Sequence, residues 1–163
     1  MKINIICIGN IKEKFYKDAV GEYTKRLSKF ATLNIIELKE EKLRIENNEK
    51  EELRVKEEEG LKILDVLKKE KESYNILLDV DGKHLDSVEL SKKILELKNN
   101  TSTYKVLNFI IGGSLGTSDK LKKEADFRLS FSKMTFPHQL MRVILTEQIY
   151  RAFKIMSNEI YHK

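Results

Sequence analysis

Two rhythms of apolar residues run along the chain. Residues 2–8 alternate poorly and are nearly all apolar on one side of Asn4, as in a strand covered on both faces. Over residues 12–30, Phe15, Ala19, Tyr23 and Leu27 recur at every fourth position, which predicts an amphipathic helix. Residues 31–38 return to β-branched and apolar types and predict a second strand. The acid- and lysine-rich stretch that follows predicts a solvated helix with a thin stripe of Leu53, Gly60, Leu61, Leu64 and Leu67. A third strand is predicted over 74–80, closed by the turn signal Asp81-Gly82.

A helix over 85–98 has Asp86 or Ser87 as N-cap, and a fourth strand covers 105–111. Ser118 caps a short helix over 120–124, and 125–131 form a fifth strand. The last helix, 136–157, carries Met141, Leu145, Ile149, Phe153 and Met156 at helical spacing, with Pro137 in its first turn and Thr135 as cap. Strands alternating with helices predict an α/β fold with a mainly parallel sheet flanked by helices. Without repeats or a flexible linker, residues 1–163 read as one domain.

Composition narrows the options. The chain is 40% hydrophobic and 35% charged, and no apolar run approaches the roughly 18 residues of a membrane span. MKINIICIGN lacks a small-residue cleavage site and reads as a strand, not a signal peptide. Cys7 is the only cysteine, so no internal disulfide forms, and a reducing cytoplasm is expected. Within Ile5-Ile6-Cys7-Ile8 it reads as a small buried hydrophobe. His84, His138 and His162 show no metal-ligand spacing, so no metal is expected. Charge is uneven: residues 37–59 hold ten acids against six bases, whereas 120–163 hold nine bases against four acids. The basic end could draw in a polyanion.

FIIGGSLGTS, residues 109–118, empties a strand into a glycine turn. Gly112, Gly113 and Gly116 do not fit the dinucleotide fingerprint, and the P-loop lysine is missing. The turn nevertheless lies at a strand's carboxyl end, where ligands of open α/β sheets bind, and FSKMTFPHQ ends the next strand. Main-chain groups of two such loops suit an adenine, and the lack of a basic cradle favours a cofactor without phosphates, such as S-adenosylmethionine.

Taken together, KEKFYKDAVGEYTKRL, IGGSLG, LSFSKMTFPHQLMRVILTEQIYRAFKI and the terminal YHK resemble the RlmH-type 23S rRNA methyltransferases of the knotted SPOUT superfamily. The resemblance covers the whole chain. It implies a C-terminal deep trefoil knot, an exception to unknotted connections, with S-adenosyl-L-methionine bound in it by Leu78, Gly112 and the run Phe131, Ser132, Lys133, Met134, Thr135 and Phe136. It implies methylation of N3 of a pseudouridine of 23S rRNA in the assembled 70S ribosome, by a homodimer. Gly112 is where a side chain would crowd the cofactor. The candidates for catalysis are Arg142, His138 and the tail Tyr161, His162 and Lys163, with His162 as proton acceptor. The family commonly ends in Tyr-His-Arg; Lys163 keeps the charge but not the planar fork. The Met141/Leu145/Ile149 face is a candidate dimer interface. Two other readings stand beside this one: a ribosome- or RNA-binding module without catalysis, and a flavodoxin-like small-molecule binder. Pairing of Arg151, or of Arg142, with Glu147 is the plain structural alternative for those arginines.

Overall fold

The structure, a computed structural model, describes residues 1–100, 102–159 and 161. Its elements follow one another as β1 (Lys2–Ile8), α1 (Lys14–Leu27), β2 (Thr32–Leu38), α2 (Glu49–Leu67), β3 (Ser73–His84), α3 (Ser87–Asn99), β4 (Val106–Ile111), α4 (Asp119–Glu124), β5 (Phe127–Ser130) and α5 (His138–Met156). The five strands form one parallel sheet in the order β2-β1-β4-β3-β5. Parallel strands need crossovers, and here the helices supply them on both faces.

Alternation along each strand divides the core. Ile3, Ile5 and Cys7 of β1, with Leu107, Phe109 and Ile111 of β4, point to one face and pack with Leu27 of α1, Ile94 of α3 and Leu145 of α5. Ile6, Ile8, Leu77 and Ile110 point to the other and meet Ile63, Leu64 and Leu67 of α2 and Leu121 of α4. Cys7 is fully buried, and burial pushes its thiol up to about 11, so it stays a neutral hydrophobe. Met141, Leu145 and Ile149 are 9%, 0% and 0% exposed within this core. That face of α5 is therefore filled by its own chain and is not the dimer interface expected for it.

Four asparagines interrupt the apolar strands and satisfy one another. Asn34 Nδ2 donates to Asn4 Oδ1 at 3.1 Å, Asn4 Nδ2 to Asn108 Oδ1 at 2.9 Å, and Asn108 Nδ2 to Asn75 Oδ1 at 2.9 Å. Asn4 and Asn108 have no exposure, so each unmade bond would leave a buried amide unpaid.

Three boundaries differ from the sequence pattern in ways that matter. The charged helix α2 is not merely solvated: Val55, Glu59, Gly60, Ile63, Leu64 and Leu67 are buried, while Leu53 and Leu61 are 54% and 46% exposed. Its inward face is set one residue away from the stripe read from leucines alone. Asp81-Gly82 does not close β3; the pairing with β5 shifts between Leu78 and Lys83, so residues 79–82 bow out and the strand resumes. A Cβ at Gly82 would stand 2.7 Å from the Arg128 carbonyl, which explains a glycine there. Finally, α5 begins at His138 with Pro137 as its N-cap, and Thr135 makes no cap. Asp86, by contrast, caps α3 as expected, in a reciprocal capping box with Glu89, and Ser118 caps α4.

Candidate active site

The bowed segment of β3, the turn after β4 and the loop after β5 meet at the carboxyl ends of adjacent strands. They enclose a cavity of about 340 Å³. Leu78, Gly112, Phe131, Ser132, Met134, Thr135 and Phe136 all line it; Lys133 belongs to the same run but is exposed and forms no part of the wall. The sequence reading thus brought together residues from three loops that do converge. It missed the acidic wall, Asp79 and Asp81, because DVDG read as an ordinary turn.

Asp79 is fixed by neighbours: its Oδ2 accepts from Arg128 Nε at 2.9 Å and Nη2 at 2.8 Å, and its Oδ1 accepts from the Asp81 amide at 3.1 Å. Lys122, the single cation of the wall, faces Asp79 at 3.7 Å. Asp81 stays exposed. With Asp79 paired by Arg128 and Lys122, Asp81 is the carboxylate that leaves negative charge on the wall, where a cationic ligand would be favoured. From 132 to 136, among the described residues, no main-chain group is bonded to another main-chain group; Met134 N–H donates only to Ser132 Oγ, at 2.9 Å. The Ser132 carbonyl accepts from Ser130 Oγ at 3.2 Å, and the remaining amides and carbonyls of the run are available to a ligand, as an adenine requires.

The glycines divide their labour. A Cβ on Gly112 would stand 2.4 Å from Thr117 Cγ2, so its vacancy first accommodates the turn itself and not only a ligand. A Cβ on Gly113 would stand 2.1 Å from Glu59 Oε2. Gly116, at φ +92°, makes the bend, in a conformation that side chains disfavour.

A second cavity, of about 270 Å³, abuts the first; Gly113, Ser114 and His138 line both. His138 is half-buried, and burial first and the nearby Arg142 second push its pKa below the ordinary 6.5, with Glu40 opposing. The imidazole is therefore neutral at pH 7 and able to take a proton.

Arg142, one turn further along α5, lines the second cavity but is 1% exposed. Its Nη1 donates to Glu37 Oε1 at 2.7 Å, and its Nη2 donates to the carbonyls of Ile8 and Gly9 at 2.9 and 2.7 Å. It pins the end of β1 and does not pair with Glu147. Nothing in the sequence joins residues 105 positions apart, so this clamp was not legible. Arg151 does pair with Glu147, at 2.6 Å.

Tyr161 lies elsewhere. Its hydroxyl donates to Glu147 at 3.2 Å and its ring packs edge-on against Tyr150 at 5.1 Å, while burial and Glu147 push its pKa up to about 12. Glu147 is nine residues beyond His138, about 14 Å along the helix. His162 and Lys163 lie outside the described residues. No group of metal-ligating side chains occurs among the described residues, and none of their helices is long and apolar enough to cross a membrane.

An all-parallel α/β sheet with a cavity at the carboxyl ends of its strands has its cleft where ligands of such folds bind. Comparison with known proteins narrows this. The profile of the family described as "Predicted SPOUT methyltransferase" matches residues 1–162, and the chain belongs to that family. A Clostridium novyi (strain NT) protein named Ribosomal RNA large subunit methyltransferase H is 52% identical over 165 residues, covering 100% of both chains. A Lactobacillus acidophilus protein of the same name is 49% identical, also over the full length of both. The Methanococcus maripaludis relative, named Putative ribosomal RNA large subunit methyltransferase H, is 50% identical over the same extent.

Proposed function

We propose that the protein is an S-adenosyl-L-methionine-dependent methyltransferase that modifies N3 of a pseudouridine in 23S rRNA. It works as a cytoplasmic homodimer on the assembled ribosome, with its C-terminal part drawn into the family's trefoil knot. The cavity at the strand ends carries this reading. Its apolar walls, free main-chain groups and acidic rim suit an adenosyl group bearing a sulfonium and an amino acid, and suit a phosphorylated nucleotide poorly.

When bound, S-adenosyl-L-methionine supplies an electrophilic methyl carbon. Leu78, Gly112 and the Phe131–Phe136 run would hold it, with Asp81 placing negative charge on the wall. The rest of the chemistry belongs to the acceptor nitrogen, which must lose a proton. His138 stands on the boundary of both cavities in its neutral form and serves as the base, an alternative to His162. Arg142 acts by holding the Ile8–Gly9 carbonyls and Glu37 in place, and so positions the acceptor side of the site. Tyr161 departs from a point far along α5, so the tail with His162 and Lys163 is best supplied by the partner subunit.

Ribosomes lacking the modification, incubated with the protein and labelled S-adenosyl-L-methionine, should acquire label at that nucleotide. Absence of incorporation with retained ribosome binding would return the protein to the binding-module reading. His138→Asn should lower the single-turnover rate by on the order of 100-fold and remove an acid limb lying below pH 6.5. An unchanged pH profile in that variant would transfer the proton to His162.

A further inference from the structure

The second cavity has no part in holding the donor, yet it shares Gly113, Ser114 and His138 with the donor cavity. A ligand filling one therefore meets a ligand filling the other across three residues, the relation methyl transfer needs between donor and acceptor. Its walls differ in kind from those of the donor cavity. Tyr16 and Pro137 offer flat faces, and Asn10 and Glu40 offer polar edges. Among the described residues, neither side chain has a hydrogen-bond or ion-pair partner, although Glu40 Oε2 comes within 3.8 Å of the Cβ position at Gly9. Lys12 and Tyr16 of the lining adjoin further aromatic and basic side chains along the chain, with Glu13 and Asp18 among them. Phe15 is 62% exposed with its ring 4.3 Å from that of Tyr16, and Lys12 and Lys17 are exposed beside them. Exposed rings among lysines match a single-stranded or looped nucleic acid, whose bases stack while its phosphates meet the cations.

We propose that this cavity receives the RNA base to be methylated, turned out of its stack, and that Glu40 accepts a hydrogen bond from the base's second N–H. The proposal rests on the methyl-transfer reading above and adds the acceptor's pocket and its selectivity. Pseudouridine is joined to its ribose through carbon, so it keeps an N1–H that uridine lacks. N1 and N3 flank the same carbonyl. A base directing N3 at the His138 wall carries N1–H to one side, where a carboxylate acceptor rewards pseudouridine and gains nothing from uridine. Asn10, able to donate and accept, suits the carbonyl edge. Tyr16 supplies the stacking face.

The test uses full-length protein and two ribosome preparations, one with pseudouridine and one with uridine at the target position, both lacking the methyl group. Glu40→Ala is expected to lower kcat/KM on pseudouridine ribosomes by about 10- to 100-fold, the loss of one charge-assisted hydrogen bond. The loss on uridine ribosomes should be much smaller, so discrimination narrows. Calorimetric affinity for S-adenosyl-L-methionine should not change. Tyr16→Ala should raise KM on both ribosomes, and Tyr16→Phe should restore it. An unaltered pseudouridine-to-uridine ratio in Glu40→Ala, or weakened donor binding, overturns the assignment. Failure of the wild-type protein to methylate either ribosome overturns the underlying reading, and this one with it.

Discussion

Arg142 and Glu59 each bury a charge at the site, one on α5 and one on α2, from opposite faces of the sheet. They are treated differently. Arg142 makes three bonds to acceptors fixed by β1 and β2, leaving only its Nε unpaired. Glu59 accepts one, from the Glu41 amide at 2.9 Å, and its Oε2 has no partner while pressing on Gly113. Arginine cannot shed its charge at any working pH, so its burial demands the clamp. A carboxyl can shed its charge by taking a proton, and burial pushes the Glu59 pKa up. One residue is an anchor; the other is a tolerated cost under the turn.

The largest effect expected from this contrast is Arg142→Met, which strands Glu37 and two strand-end carbonyls. It should cost about 3–5 kcal/mol in urea unfolding, with Arg142→Lys recovering only part. A loss below about 1 kcal/mol would show that the clamp is not structural. Next is Gly113→Ala, which forces a methyl against Glu59 Oε2 and should cost about 1–3 kcal/mol. Combined with Glu59→Ala, that penalty should shrink; strict additivity in the double-mutant cycle would disprove the contact.

The smallest effect is Glu59→Gln, expected to raise stability at pH 8 by on the order of 1 kcal/mol, a shift of about 2–4 °C in Tm. The sign follows from linkage. With its folded pKa above the unfolded one, the native state holds more protons through that window, so this carboxyl makes stability fall as pH rises through it. The glutamine variant should lose that slope. If instead it unfolds more easily at pH 8 than the wild type, the unpaired oxygen has a partner that matters.

The sequence pattern located every strand and helix here, and Asp86 and Ser118 mark the starts of α3 and α4 as N-caps. It was poorest where tertiary contact overrode local chemistry. Asp81-Gly82 has turn composition, yet the chain resumes pairing beyond it because β5 lies alongside. The inward face of α2 includes Glu59, which no hydrophobic pattern would place inside. The loops around the strand-end cavity were legible because the glycine turn's place at a strand's carboxyl end and the family resemblance mark them. The adjoining cavity was not, since Asn10, Glu40 and Tyr16 are polar or half-exposed residues that only the fold gathers.

The asparagine row bears on how such a site is aligned at all. Parallel strands joined by helices have no hairpin turn to set their stagger. With β1 and β4 apolar on both faces, burial alone sets register weakly, and it is blind to a slip of two, which keeps every side chain on its own face. Such a slip would carry a strand end about 6–7 Å along the sheet. It would separate Asn4, Asn34, Asn75 and Asn108, which now stand at one level across four strands. The amides thus act as a vernier that the oily residues cannot provide, holding Leu78 level with the glycine turn so that loops from different strands close on one ligand.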